Sequence, residues 1–221
     1  MLVSHRKRFI YTKTIKTAGT SVESYFEKYC VPEGSWQFSH ARAEQIGEAG
    51  IIGYRGRGSK EAATYYNHMP AAEIKELLGE ATWNRYFKFC VIRNPFDKLV
   101  SHFYYLVRKE MIDPGLLTGD EITSFRNWLK QGGCIIDRDK YLIGGRVCLD
   151  YFIRYENLSA DIKEVCAILE VPFEPEKLPR LKSGMRDHSV PLKDYYDNET
   201  IALVRKLYSF ELNHFGYDFP A

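Results

Sequence analysis

Apolar positions along this chain fall in short blocks, and their spacing alternates between two kinds. Phe9-Ile10-Tyr11 is a brief β-prone run without polar alternation, the pattern of a strand buried on both faces of a parallel sheet. It stops in a polar, small-residue stretch, Lys16-Thr17-Ala18-Gly19-Thr20-Ser21, and from Ser21 to Lys28 apolar side chains return at helical spacing. The window therefore reads as strand, loop, helix. A second window, YFKFCVIRNPFDKLVSHFYYL at 86–106, repeats the arrangement, with a strand predicted over 87–92. Asn94 then suits an N-cap, Pro95 the first helical position, and Asp97 the positive end of the helix dipole.

Elsewhere the pattern predicts a short helix over 41–48, a short strand over 51–54 and a helix over 71–78 closed by Gly79. Further helices are expected over 122–131, broken by Gly132-Gly133, and over 159–169, after a strand at 149–155. The last helix is expected over 199–214, capped by Asp197 or Asn198. Between 174 and 194 no periodicity shows, and Pro, Lys and Arg are frequent; loops of that length are often lids. The predicted fold class is α/β, a single domain over 1–221 with a central parallel sheet flanked by helices.

Composition narrows this little. The 221 residues are 45% hydrophobic and 14% aromatic, enough for a sizeable core. A net charge of +2 provides no global field for nucleic acid, so an anion site must be a local cluster. No apolar run approaches the roughly 20 residues of a membrane span, and the first eight residues lack the apolar region of a signal peptide. A soluble, cytoplasmic protein is the expectation. Five scattered cysteines suggest neither a disulfide framework nor a zinc site, and no metal is expected.

The two strand-to-helix loops carry the candidate chemistry. A loop at a strand's carboxyl end is where open α/β sheets bind ligands. Small residues there expose backbone N–H groups, the helix N-terminus adds positive potential, and Lys16 adds a point charge, which together suit a phosphate. The order differs from an ATP-type P-loop, whose lysine follows the second glycine. In the second window the Arg93 fork and the Ser101 hydroxyl can grip one phosphate monoester.

Lys16 to Ser21 resembles the 5′-phosphosulfate loop of sulfotransferases, P-K-T-G-G-T-S in the glycan-modifying type, with Ile15 and Ala18 in place of Pro and the first Gly. Arg93 to Ser101 resembles the family's 3′-phosphate site, R-x-P-x-x-R/K-x-x-S. Tyr155-Glu156-Asn157-Leu158 is similar to the family's Y-E-D-L segment, and Phe215-Gly216-Tyr217 to its F-G-Y end. The resemblance implies the donor 3′-phosphoadenosine 5′-phosphosulfate, with Lys16, Thr17, Ala18, Gly19, Thr20, Ser21, Arg93 and Ser101 binding it. It also implies that a late basic loop closes over the nucleotide, which makes Arg186 and Lys182 candidate contacts.

The implied reaction is sulfuryl transfer to an acceptor hydroxyl on a saccharide, lipid or small metabolite, with Lys16 stabilising charge and a histidine as base. His68, between the two windows as in the glycan-modifying enzymes, is the first candidate base, and His40 the second. Glu44, Glu48 and Glu61 are carboxylate contenders. Trp128 reads as core, with a place in an acceptor pocket as the alternative, and Arg55 to Lys60 reads as a solvated basic turn or an electrostatic lure. A kinase or phosphotransferase, and a non-catalytic nucleotide-binding relative, are the competing readings. Oligomeric state has no signature here.

Overall fold

The computed structural model describes residues 1–56, 61–179 and 190–220, which group into two compact units: 1–92 with 137–179, and 93–136 with 190–220. In chain order the elements are β1 (Leu2–Ser4), β2 (Phe9–Tyr11), α1 (Gly19–Phe26), β3 (Gln45–Gly47), β4 (Gly50–Ile52), α2 (Ala71–Leu78), α3 (Glu80–Arg85) and β5 (Phe87–Ile92). There follow α4 (Pro95–Arg108), α5 (Glu121–Lys130), β6 (Leu142–Ile143), β7 (Arg146–Val147), β8 (Tyr151–Arg154), α6 (Leu158–Ile168), α7 (Asn198–Leu207) and α8 (Ser209–Phe215).

The first unit is built on a six-stranded sheet in the order β3-β4-β1-β2-β5-β8. Only β2, β5 and β8 run parallel; β1 pairs antiparallel with β2 and β4, and β3 antiparallel with β4. The expected parallel sheet is therefore mixed. The reason is connection length: four residues join β1 to β2 and two join β3 to β4, whereas a parallel pair needs a crossover of about a dozen residues. Alternate residues of the strands, Phe9 and Tyr11, then Phe89 and Val91, meet Val22, Phe26, Ile162 and Val165 from the helices in one buried core. Ile10, Cys90 and Ile92, on the opposite face, are buried as well, which is why these strands show no alternation.

The helix expected over 41–48 is not formed. Gln45–Gly47 is instead an exposed edge strand, turned back through Glu48 and Ala49 into Gly50. Gly50 has φ 155°, and a Cβ there would meet the Val3 carbonyl at 2.2 Å, so the hairpin closes against β1 only with glycine.

In the second unit α4 begins as its sequence predicts: Asn94 caps the Phe96 amide at 3.0 Å and Pro95 opens the first turn. Phe96, Phe125, Tyr196 and Phe219 form an edge-to-face cluster. Trp128 packs on Phe103 and Phe125 with 6% of its surface exposed, the core role rather than a pocket lining. The single helix expected over 199–214 is two. It breaks at Tyr208, whose ring is buried and whose hydroxyl donates to the Ile135 carbonyl at 2.7 Å while accepting from the Ile135 amide at 3.0 Å.

Candidate active site

The segment between β2 and α1 is held at nearly every residue. The Thr12 amide still bonds to Phe89 across the sheet at 3.1 Å. The Thr14 hydroxyl donates to the Val91 carbonyl, so the 2.7 Å contact between Thr14 and Thr17 is a bond donated by Thr17. The Ile15 amide donates to Oδ2 of Asp137 at 2.7 Å. Lys16 and Ala18 then adopt left-handed backbone conformations, φ 61° and 59°. Each costs a non-glycine residue about 1–2 kcal/mol, which the surrounding bonds must offset.

Gly19 opens α1 and lies so close to the preceding segment that a Cβ would come within 3.1 Å of the Thr14 carbonyl. Ala18, at the N-cap, has no side chain that can accept a hydrogen bond, and the first turn carries no acidic residue. The Ala18 carbonyl accepts from Ser21 and Val22. The amides of Thr17, Ala18, Gly19 and Thr20 take no acceptor among the described residues. A tight loop with surplus amide donors, an uncapped helix N-terminus and an adjacent lysine suits a phosphate or sulfate group, so the residues present fit the expected donor.

His68 adjoins this segment. It lies in the turn before α2, itself left-handed at φ 59°, and its Nδ1 is 3.0 Å from the Lys13 carbonyl. A carbonyl only accepts, so Nδ1 carries a proton and Nε2 is the basic nitrogen. Burial, with the Lys13 charge adding to it, lowers its pKa to about 4, so the ring is neutral at pH 7.

Beneath the loop is a feature that the sequence pattern barely marks, a buried ionic cluster. Glu23 accepts from Lys13 Nζ at 2.7 Å, from the amino group of Met1 at 2.9 Å, and from Arg55. Glu27 pairs with Arg55 and with Arg42, each at 2.7 Å, and accepts from the Trp36 indole at 3.2 Å. Burial alone would raise the Glu23 pKa, but Lys13, the Met1 amino group and Arg55 outweigh it and hold the carboxyl well below its usual range. The only signal in sequence was two glutamates four apart, Glu23 and Glu27, inside an otherwise apolar helix pattern.

In the second unit Arg93 immediately precedes α4, and its guanidinium is drawn onto Asp97, with Nε at 2.8 Å and Nη2 at 2.7 Å from one carboxylate oxygen. Ser101 lies two turns into the same helix and is partly buried.

The remaining candidates separate by environment. His40 is exposed, its ring against Phe38 and its backbone carbonyl accepting from Arg55. Glu44 caps the Thr64 and Tyr65 amides, Glu48 sits in the hairpin turn, and Glu61 is exposed. Arg186 and Lys182, and Arg57 to Lys60 of the basic turn, lie outside the described residues. No described helix is long and apolar enough to cross a membrane.

Comparison with known proteins bears on both windows. The sequence model described as "Sulfotransferase family" matches residues 1–141, a span that contains both. An uncharacterized protein of Archaeoglobus fulgidus is 30% identical over 106 residues, 48% of this chain and 86% of that protein. No solved structure matches.

Proposed function

Because this chain belongs to the sulfotransferase family, we propose that it transfers a sulfuryl group from 3′-phosphoadenosine 5′-phosphosulfate to an acceptor hydroxyl. The observation that carries this reading is the loop from Lys16 to Ser21, with its two left-handed residues, four surplus amides and an uncapped helix start. The donor, when bound, supplies the activated sulfuryl group. Backbone amides of Thr17, Ala18, Gly19 and Thr20, and the hydroxyls of Thr20 and Ser21, hold its 5′-phosphosulfate end. Lys16 balances the charge that builds on the oxygens there as the bond to the leaving phosphate weakens.

Arg93 and Ser101 hold the 3′-phosphate, a guanidinium fork with a hydroxyl beside it. For the anion to engage Arg93, the guanidinium must be shared with Asp97 or released from it. His68 accepts the acceptor's proton at Nε2, while its Nδ1 remains on the Lys13 carbonyl, which fixes the tautomer. A saccharide, a lipid and a small metabolite each present a suitable hydroxyl, and Arg186 is a further candidate contact for the nucleotide.

A thermal-shift titration with adenosine 3′,5′-bisphosphate beside 5′-AMP, ADP and magnesium ATP tests the reading. A ligand at about 100 times its Kd stabilises the fold by ~2.7 kcal/mol, an easily measured shift. A response to the bisphosphate over all the others is expected. A response to ATP alone would replace sulfotransfer by a kinase activity.

A further inference from the structure

We propose that Asp137 is a positioning residue for the phosphosulfate loop, its buried carboxylate anchoring the Ile15 amide so that Lys16 keeps its left-handed conformation. The inference rests on the sulfotransfer reading of residues 16–21. The contact is short, 2.7 Å to Oδ2, it joins residues 122 positions apart, and Asp137 is 3% exposed.

The capping of its own turn does not use the carboxylate. Asp137 occupies the N-cap of the turn Arg138–Lys140, where an aspartate ordinarily accepts from its own turn, yet its side chain makes no capping bond there. The Lys140 amide is satisfied by the Asp137 backbone carbonyl at 3.0 Å. The side chain reaches the loop instead.

The loop needs such a partner. A non-glycine residue holds a left-handed conformation only where its surroundings over-determine it, and Lys16 is flanked by Ile15 on one side and left-handed Ala18 shortly after. Thr14 and Thr17 are tied by their hydroxyls, and the Ile15 amide is the backbone donor held between them. Ile15, unlike a proline, has neither a fixed φ nor a missing N–H, and Asp137 takes that N–H.

Charge argues the same way. A carboxylate beside an anion-binding loop opposes the anion, so what Asp137 contributes is a hydrogen-bond acceptor at a fixed point rather than its charge. An amide oxygen would serve as well.

Asp137→Asn and Asp137→Ser separate these roles, with bisphosphate affinity read by calorimetry and exchange of the Ile15 amide by hydrogen-exchange measurement on the nucleotide-free protein. Asp137→Ser, too short to reach, is expected to bind the bisphosphate roughly 10-fold or more weakly and to exchange Ile15 quickly. Asp137→Asn is expected to stay within about threefold of the wild type, with Ile15 still protected. Wild-type affinity in Asp137→Ser would overturn the proposal. So would Asp137→Asn binding tenfold more weakly than the wild type, a comparison that decides the matter even if Asp137→Ser does not fold. A wild-type protein that ignores the bisphosphate would instead sink the sulfotransfer reading, and Ile15 exchange alone would then judge the anchor, equal rates in wild type and Asp137→Ser refuting it.

Discussion

Nδ1 of His68 donates to the carbonyl oxygen of Lys13 across 3.0 Å, which leaves Nε2 as the ring's basic nitrogen at the end of the strand that feeds the proposed anion loop. If that nitrogen takes the acceptor's proton, His68→Gln removes the base and keeps a polar side chain. Turnover should fall by roughly 10²–10⁴ while bisphosphate affinity is unchanged. An unchanged rate in a folded variant, measured once an acceptor is in hand, would remove His68 from the mechanism and return attention to His40 and the carboxylates.

The same histidine makes stability depend on pH with a defined sign. Its pKa falls from the ordinary 6.5 to about 4 in the fold, mainly through burial. Between those values the unfolded chain binds the proton and the native state does not, so stability is lost as pH falls through that window. A shift of this size corresponds to about 3 kcal/mol between pH 7 and pH 4. Urea unfolding of the wild type and His68→Gln at pH 7, 5.5 and 4 should show a steeper loss in the wild type. Parallel curves would mean that His68 titrates freely.

Both strand-to-helix windows were legible in sequence because each apolar run ends at a residue with its own local logic. Asn94 and Pro95 fix where α4 begins, and β5 and α2 fall where the pattern places them. What escaped depends on partners far along the chain. β3 is exposed throughout and carries no apolar run, and the antiparallel pairing of β1 and β3 is set by tight connections and by Gly50 against Val3. Asp137 and the Glu23 cluster are unreadable for the same reason, since a surface carboxylate and a buried one look identical in sequence until the fold brings Ile15, Lys13 or Arg55 beside them.

On the proposed reading, Arg93 offers a test specific to the 3′ end of the donor nucleotide. Arg93→Met removes the guanidinium and frees Asp97 from it, leaving the loop from Lys16 to Ser21 untouched in sequence. A charge-assisted contact with the 3′-phosphate is worth about 1.5–3 kcal/mol, so affinity for the 3′,5′-bisphosphate should drop roughly 10- to 100-fold. Affinity for 5′-AMP should stay the same. Equal losses for both ligands would place the role of Arg93 in folding rather than in recognition.

Glu23 yields the largest stability prediction. Its carboxylate is fully buried and takes Lys13, Arg55 and the Met1 amino group together, so Glu23→Gln removes the carboxylate that Lys13 and the Met1 amino group bond, while Arg55 keeps its pair with Glu27. Removing one member of such a cluster costs about 3–5 kcal/mol, because the partners remain buried without compensation. Denaturant unfolding should register a loss of that order, and a loss below about 1 kcal/mol would show that the cluster relaxes or admits water. Adding Lys13→Met to Glu23→Gln should recover part of the loss, since the two residues are coupled and their single effects are not additive. Lys13→Met by itself should also raise the His68 pKa, because the Lys13 charge is among the causes that depress it. The same buried lysine would then connect the stability of the sheet to the protonation state of the proposed base.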